Sequence, residues 1–213
     1  MSKLLYSTSV SLDGFVAGTD QGPDHPLGVH GELLHEWLRS LAVWRKEAGL
    51  EGGETNANTA VVERGGETIR AIIMGRNMFG GGPGEWDEEW KGWWGDDPPF
   101  HMQVFVLTHH PRAPLEMKGG TTFTFVTEGI EAALDLALDA ADGMDVGVSG
   151  GAGVAKQYLA AGLVDEIGIH LVPAFLGRGV RLFDDPNMAG RIYEQTEVVA
   201  GPGVTHLTYR VVR

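Results

Sequence analysis

Between residues 70 and 172 short apolar runs alternate with amphipathic stretches, and few folds accommodate that order. Residues 70–74 (Arg-Ala-Ile-Ile-Met) form an apolar run of buried-strand type that stops at Gly75. Residues 103–108 and 121–127 read as further strands. Thr127 then stands where it can cap a helix whose Ile130, Ala133, Leu134, Ala137, Leu138 and Ala141 make one apolar stripe. A strand at 145–149, a Gly-rich turn and a helix at 154–161 follow. Strand, helix and strand in this succession predict crossover connections and a mainly parallel sheet. The end of the chain differs: residues 191–199 and 204–212, joined by Ala200-Gly201-Pro202-Gly203, predict an antiparallel hairpin. The expected class is therefore α/β, with a twisted, mostly parallel central sheet in three layers and a C-terminal antiparallel hairpin.

Ahead of that alternation, residues 4–10 read as a first strand ended by the turn Asp13-Gly14, with no Gly-rich phosphate loop directly after it. From 32 to 47, Leu34, Trp37, Leu38 and Leu41 fall at helical spacing and predict one amphipathic helix. A second, weaker helix is expected through Ala60, Val61, Val62 and Ile69. Residues 80–99 are rich in Gly, Trp and acid and keep neither period, which predicts a long loop. At 213 residues, with no linker-like stretch, the expectation is a single domain over 1–213.

Composition removes several classes of function. A formal net charge of −13 repels phosphate backbones and anionic lipid, so neither a nucleic-acid nor a membrane partner is expected, and an anionic cofactor would need a local positive site. The absence of Cys removes disulfides, thiolate catalysis and Cys-based metal sites. The N-terminal run meets Asp13 before it could form a signal-peptide core, and no apolar run reaches membrane-spanning length; a soluble, cytoplasmic protein is expected.

Four turns at strand ends carry the candidate chemistry. The turn Ser149-Gly150-Gly151-Ala152-Gly153 opens a helix, where unpaired N–H groups and the helix dipole favour an anion and glycines let a pyrophosphate approach the main chain. Its spacing is not G-x-G-x-x-G, so the Rossmann fingerprint is not met. Gly147-Val148-Ser149-Gly150-Gly151 also fits the serine nucleophile elbow, with Asp165 or Asp184 and His206 as paper partners; His206, however, falls inside an alternating strand and no HGGG-type segment precedes the motif. A packing turn is the plain alternative. Met74-Gly75-Arg76-Asn77 places a cation where a buried strand turns into a helical segment, a local anion site. Leu107-Thr108-His109-His110-Pro111 offers hydroxyl, imidazole and backbone donors. Ser11 to Ala17, after the first strand, would cross the carboxyl end of the sheet and could cover a nicotinamide ring, although an Asp-Gly turn needs no catalytic explanation. Adjacent histidines on an extended segment face opposite ways, and His25, His30 and His35 do not share a helical face, so no metal site is expected.

Taken together, Ser-Leu-Asp-Gly after the first strand, Ile-Met-Gly-Arg-Asn at 73–77, Val-Leu-Thr-His-His-Pro at 106–111, Val-Ser-Gly-Gly-Ala-Gly-Val at 148–154 and the run from Val164 through Pro173 to Phe183 resemble the dihydrofolate reductase superfamily. Within it the chain is most similar to the C-terminal reductase domain of the bifunctional riboflavin biosynthesis deaminase-reductase. The resemblance implies a dihydrofolate-reductase-like fold with NADPH across the carboxyl ends of the strands. Gly75, Arg76, Asn77 and Met78 would take cofactor phosphates, and Leu107, Thr108 and His109 the 2′-phosphate region. Gly150, Gly151, Ala152, Gly153 and Val154 would take the pyrophosphate and nicotinamide side, with Val16 and Ala17 over the ring. It also implies a cis peptide at Gly150–Gly151 and a homodimer. Phe15, Glu36, Trp37 and His170 are the candidate substrate residues, and Asp13 the candidate catalytic one; proton delivery could come from Asp13, Glu36, His170 or water.

Two departures bear on the substrate. Glu32 and Glu36 fall opposite Leu34, Trp37 and Leu38, where solvated charge is expected rather than a folate-binding carboxylate. The loop with Trp86, Trp90, Trp93 and Trp94 is additional, and no deaminase domain is expected within residues 1–213; the tryptophans suit packing, a pocket wall or a subunit contact. The expected activity is hydride transfer from NADPH to a small heterocyclic or pyrimidine-type molecule, with a non-catalytic nucleotide-binding protein as the alternative and a hydrolase using Ser149 the lesser one.

Overall fold

The computed structural model describes residues 2–22 and 25–212. Its strands are β1 (Leu4–Ser11), β2 (Phe15–Ala17), β3 (Ile69–Gly75), β4 (Gln103–Leu107), β5 (Leu115–Glu116), β6 (Thr122–Val126), β7 (Asp145–Gly150), β8 (Glu166–Val172), β9 (Val180–Arg181), β10 (Tyr193–Gly201) and β11 (Val204–Val211). Its helices are α1 (Glu36–Arg39), α2 (Ala42–Glu47), α3 (Ala57–Glu67), α4 (Arg76–Phe79), α5 (Ile130–Ala141) and α6 (Ala152–Ala161). Nine strands make one sheet in the order β10-β11-β8-β1-β7-β3-β4-β6-β5, and β2 pairs with β9 in a small antiparallel one. The pairs β1/β7, β7/β3, β3/β4 and β4/β6 are parallel, whereas β5/β6, β8/β11 and β10/β11 are antiparallel. The parallel sheet and the C-terminal hairpin are thus both as the alternation predicts.

Two compact units share the chain, Met1–Tyr6 with Thr68–Val164 and Ser7–Glu67 with Asp165–Arg213. In the first, Ile72, Met74, Val104, Val106 and Phe123 form a core with Phe79. Helix α5 packs on β3 and β4 through Ala133, Ala137 and Ala141, small residues one turn apart that bring the helix close to the strands. Tyr158 of α6 is fully buried and its hydroxyl donates to Ile130 O at 2.7 Å, which ties the two helices. Thr127 does not cap α5: Gly129 holds the cap position and no side chain bonds there.

In the second unit, Phe15, Leu34, Trp37, Leu41, Val172, Leu176 and Val204 form the core. The helix expected over 32–47 is broken into a 3₁₀ turn at Gly31–His35, then α1 and α2. Its apolar spacing still buries Leu34, Trp37 and Leu41, but Leu41 is extended (φ −75°, ψ 139°). The reason is a competing partner: Glu54 N donates to Ser40 O and Ala42 N to Glu54 O, so the backbone of 40–42 pairs with a passing segment instead of continuing the helix. Ile69, assigned to the second helix by its pattern, opens β3 instead. Among the described residues no helix is long and apolar enough to cross a membrane.

Candidate active site

Parallel pairing aligns three strand ends that lie far apart in sequence. Gly75 is opposite Leu107, and Met74 is opposite Gly150, so the turns after β3, β4 and β7 open at one edge of the first unit. Contacts close the gap further. A β-carbon on Gly75 would meet Val154 Cγ2 at 2.7 Å, and one on Gly150 would meet Met78 Sδ at 3.7 Å, so the start of α6 lies directly against the Gly75–Met78 turn. The peptide bond between Gly150 and Gly151 is cis, as the resemblance implies. No side chain caps α6, and β-carbons built on Gly151 and Gly153 would meet nothing within 4 Å, which leaves the main chain at this helix start uncovered.

Arg76 lies half-buried beside that turn, with Asn77 exposed. Its guanidinium stacks on Trp86, with Cζ 3.7 Å from the ring centroid, and donates to Glu85 O at 3.3 Å. Its buried Nε has no hydrogen-bond partner among the described residues. Burial lowers its pKa, Glu85 opposes that shift, and the second cation Arg112 adds to it. Trp86 Nε1 donates to His110 O at 2.8 Å, and Arg112, whose side chain is 1% exposed, donates to Glu88 O at 2.9 Å. Thr108 is buried and its hydroxyl accepts from His110 N, while His109 points into solvent. The turns holding Gly75–Met78, Thr108–His109 and Gly150–Val154 therefore form one continuous patch. Ser149 lies within β7 before the turn, and both ring nitrogens of His206 are bonded elsewhere, to His170 and Asn58, so no serine elbow is assembled.

The second unit holds the other candidate residues. Asp13 accepts from Ser11 Oγ at 2.6 Å, Leu176 N at 3.1 Å and Gly177 N at 2.7 Å. The Ser11 hydroxyl first, and then these amides, hold its carboxyl below the usual range. Phe15 and Trp37 are core residues, each 7% exposed, Val16 is half-buried beside a buried Ala17, and Glu36 faces solvent. Glu32 pairs with Arg39. His170 bonds Ser7 Oγ and His206 Nδ1, each at 2.8 Å, and burial pushes its pKa down to about 3. A shallow cleft of about 250 Å³ in this unit is lined by Leu12, Leu171, Pro173, Val204 and Thr205, and by none of Phe15, Glu36, Trp37 or His170. Among the described residues no group of three or more His, Asp or Glu side chains could hold a metal ion.

Residues 2–206 match the model of the RibD C-terminal domain. The chain belongs to the RibD C-terminal domain family. Solved structures share its fold. One is a Shewanella sp. PV-4 protein described as a riboflavin biosynthesis protein (20% identity, 99% of each chain covered, TM-score 0.61). Another is the Thermotoga maritima diaminohydroxyphosphoribosylaminopyrimidine deaminase/5-amino-6-(5-phosphoribosylamino)uracil reductase (13% identity, TM-score 0.56); 99% of this chain matches 57% of that one. A third is Enterococcus faecalis dihydrofolate reductase, solved with NADP(H) (14% identity, 99% and 97% covered, TM-score 0.53). A comparison with curated proteins finds no match.

This RibD-type domain also brings together residues whose contacts no local sequence pattern shows. Trp86 was visible only as one of four tryptophans in a loop, and Arg112 as one residue past His-His-Pro; their meeting at Arg76 is tertiary. His206 and Asn58, which complete the surroundings of His170, are 148 positions apart and share no local pattern.

Proposed function

We propose that the protein is an NADPH-dependent reductase that transfers a hydride to a small heterocyclic substrate of pyrimidine or pterin type. The observation that carries the reading is the patch formed by an uncovered α6 start beside the half-buried Arg76, a local positive site on a chain of net charge −13. The orphaned Arg76 Nε and the open main chain at Gly151 and Gly153 fit the phosphates of a dinucleotide. When bound, NADPH supplies the hydride from its nicotinamide C4. Arg76 and Asn77 would hold phosphate, with Arg76 reaching the 2′-phosphate beside Thr108 and His109, and Gly150, Gly151, Ala152, Gly153 and Val154 would hold the pyrophosphate.

Proton delivery then belongs to water. The three hydrogen bonds that Asp13 accepts and its lowered pKa suit it to bracing the turn after β1 against residues 176–177, and His170 is neutral with its nitrogens engaged. The same engagement favours one other reading, a nucleotide-binding protein without catalysis. NADPH oxidation followed by absorbance with a panel of aminopyrimidine-diones, including 5-amino-6-(5-phosphoribosylamino)uracil, and dihydropterins separates the two. Turnover with a member of the panel is expected. Tight coenzyme binding without oxidation across the panel would favour the binding protein.

A further inference from the structure

The segment Glu85–Glu88 is fastened at three points to the two turns proposed to hold phosphate. Arg76 donates to Glu85 O, Trp86 Nε1 donates to His110 O, and Arg112 donates to Glu88 O. Trp86 is the centre of this arrangement. Its ring is set edge-on against Phe79 (5.8 Å) and Phe125 (5.0 Å), its N–H is pinned, and its face lies 3.7 Å from the Arg76 guanidinium. Arg112 stands 5.2 Å from the centroid of the same ring. Two guanidinium groups gathered at one indole repel each other, and the side-chain carboxylates nearest them, on Glu85 and Glu88, are 94% and 80% exposed. The buried Nε of Arg76 and the buried Nη1 of Arg112 make no hydrogen bond among the described residues, while Arg112 Nε is ion-paired with Glu88 Oε2 at 3.6 Å. Cations so placed, with donors to spare, suit a dianionic phosphate better than a monoanion or a hydroxyl.

We propose that Trp86 is a positioning residue for coenzyme choice: by stacking under Arg76 it holds the guanidinium where it selects a nucleotide bearing a 2′-phosphate over one without. The inference rests on the NADPH reading above and adds what sets the preference. A flexible arginine on a four-residue helical turn such as α4 would lose orientational freedom on binding, and the pinned indole removes that loss beforehand.

Calorimetric titration of the full chain with 2′,5′-ADP and with 5′-AMP isolates the 2′-phosphate from the rest of the coenzyme. The wild-type protein is expected to prefer 2′,5′-ADP by about tenfold or more, the scale of one charge-assisted contact. Trp86→Leu is expected to abolish most of that preference with little change toward 5′-AMP, and Trp86→Phe, which keeps an aromatic face, to retain much of it. Arg76→Lys keeps the charge without the planar stack, so it serves if Trp86→Leu does not fold, and is expected to behave like Trp86→Leu. A wild-type preference that survives both Trp86→Leu and Arg76→Lys overturns the role of Trp86 and leaves the NADPH reading standing. Equal wild-type affinity for the two nucleotides overturns the NADPH reading itself, and this inference with it.

Discussion

The side chains of Ser7, His170, His206 and Asn58 form one directed chain, and its last member fixes every proton in it. Asn58 Nδ2 donates to Pro202 O at 3.1 Å, so Asn58 Oδ1 accepts from His206 Nε2–H at 3.0 Å. A neutral His206 then has a bare Nδ1, which accepts from His170 Nδ1–H; His170 Nε2 in turn accepts from the Ser7 hydroxyl. Trp37 sets its edge against both imidazoles, at 5.1 and 5.0 Å, and helps cover the buried His206 and the half-buried His170. Burial lowers the pKa of His170 to about 3 and lowers that of His206, so both are neutral in the folded state and charged at low pH only when unfolded. The unfolded chain binds these protons from about pH 6.5 downward, and the contribution of the pair to stability is therefore present above that value and lost as pH falls toward the folded pKa. Thermal unfolding of the wild type and of a His170→Gln/His206→Gln variant is expected to show a gap in midpoint that narrows between pH 7 and pH 5. A gap that is constant over this range contradicts a neutral buried pair. His206→Ala orphans His170 Nδ1–H and Asn58 Oδ1 together and is expected to cost about 1–3 kcal/mol for each in denaturant unfolding.

Two glycines separate the packing role of an element from its binding role. Gly75 ends β3 against α6, and the β-carbon of Gly75→Ala would sit 2.7 Å from Val154 Cγ2, so this variant is expected to lose about 1–3 kcal/mol of stability by overpacking. Gly153, in the first turn of α6, faces open space. Gly153→Ala should raise stability by about 0.5–1 kcal/mol, the ordinary preference of a helix for Ala. Yet the added methyl would stand where the pyrophosphate is proposed to approach the main chain, and NADPH affinity is expected to fall. Unchanged affinity in Gly153→Ala would place the pyrophosphate elsewhere. At this scale, what the sequence made legible was local: strand runs, the apolar stripe of α5 and the strand-end turns each announce themselves within a few residues. The break at Ser40–Ala42 was not legible, because it is made by Glu54 bonding on both sides of Leu41, and the helical spacing of Leu34, Trp37 and Leu41 survives it. The stapling of Trp86 to Arg76, His110 and Arg112 escaped for the same reason, since each contact joins residues from separate turns.

At the scale of the whole chain, order carried more than any single motif. The Gly-rich turn at 149–153 is ambiguous alone, but it follows the Gly75–Arg76 and Thr108–His109 turns, and parallel pairing sets all three strand ends in register. The RibD C-terminal domain match over residues 2–206 agrees with that order. A net charge of −13 opposes general attraction of a polyanion, so the proposed coenzyme binding would depend on the cations beside the start of α6, Arg76 first. The most direct test is therefore calorimetric titration of wild type and Arg76→Ala with NADPH and NADH at one ionic strength. The wild type is expected to bind NADPH more tightly than NADH by about tenfold or more, and Arg76→Ala to remove most of this advantage. NADPH affinity unchanged in Arg76→Ala, or no binding of either coenzyme to the wild type, would contradict the proposal.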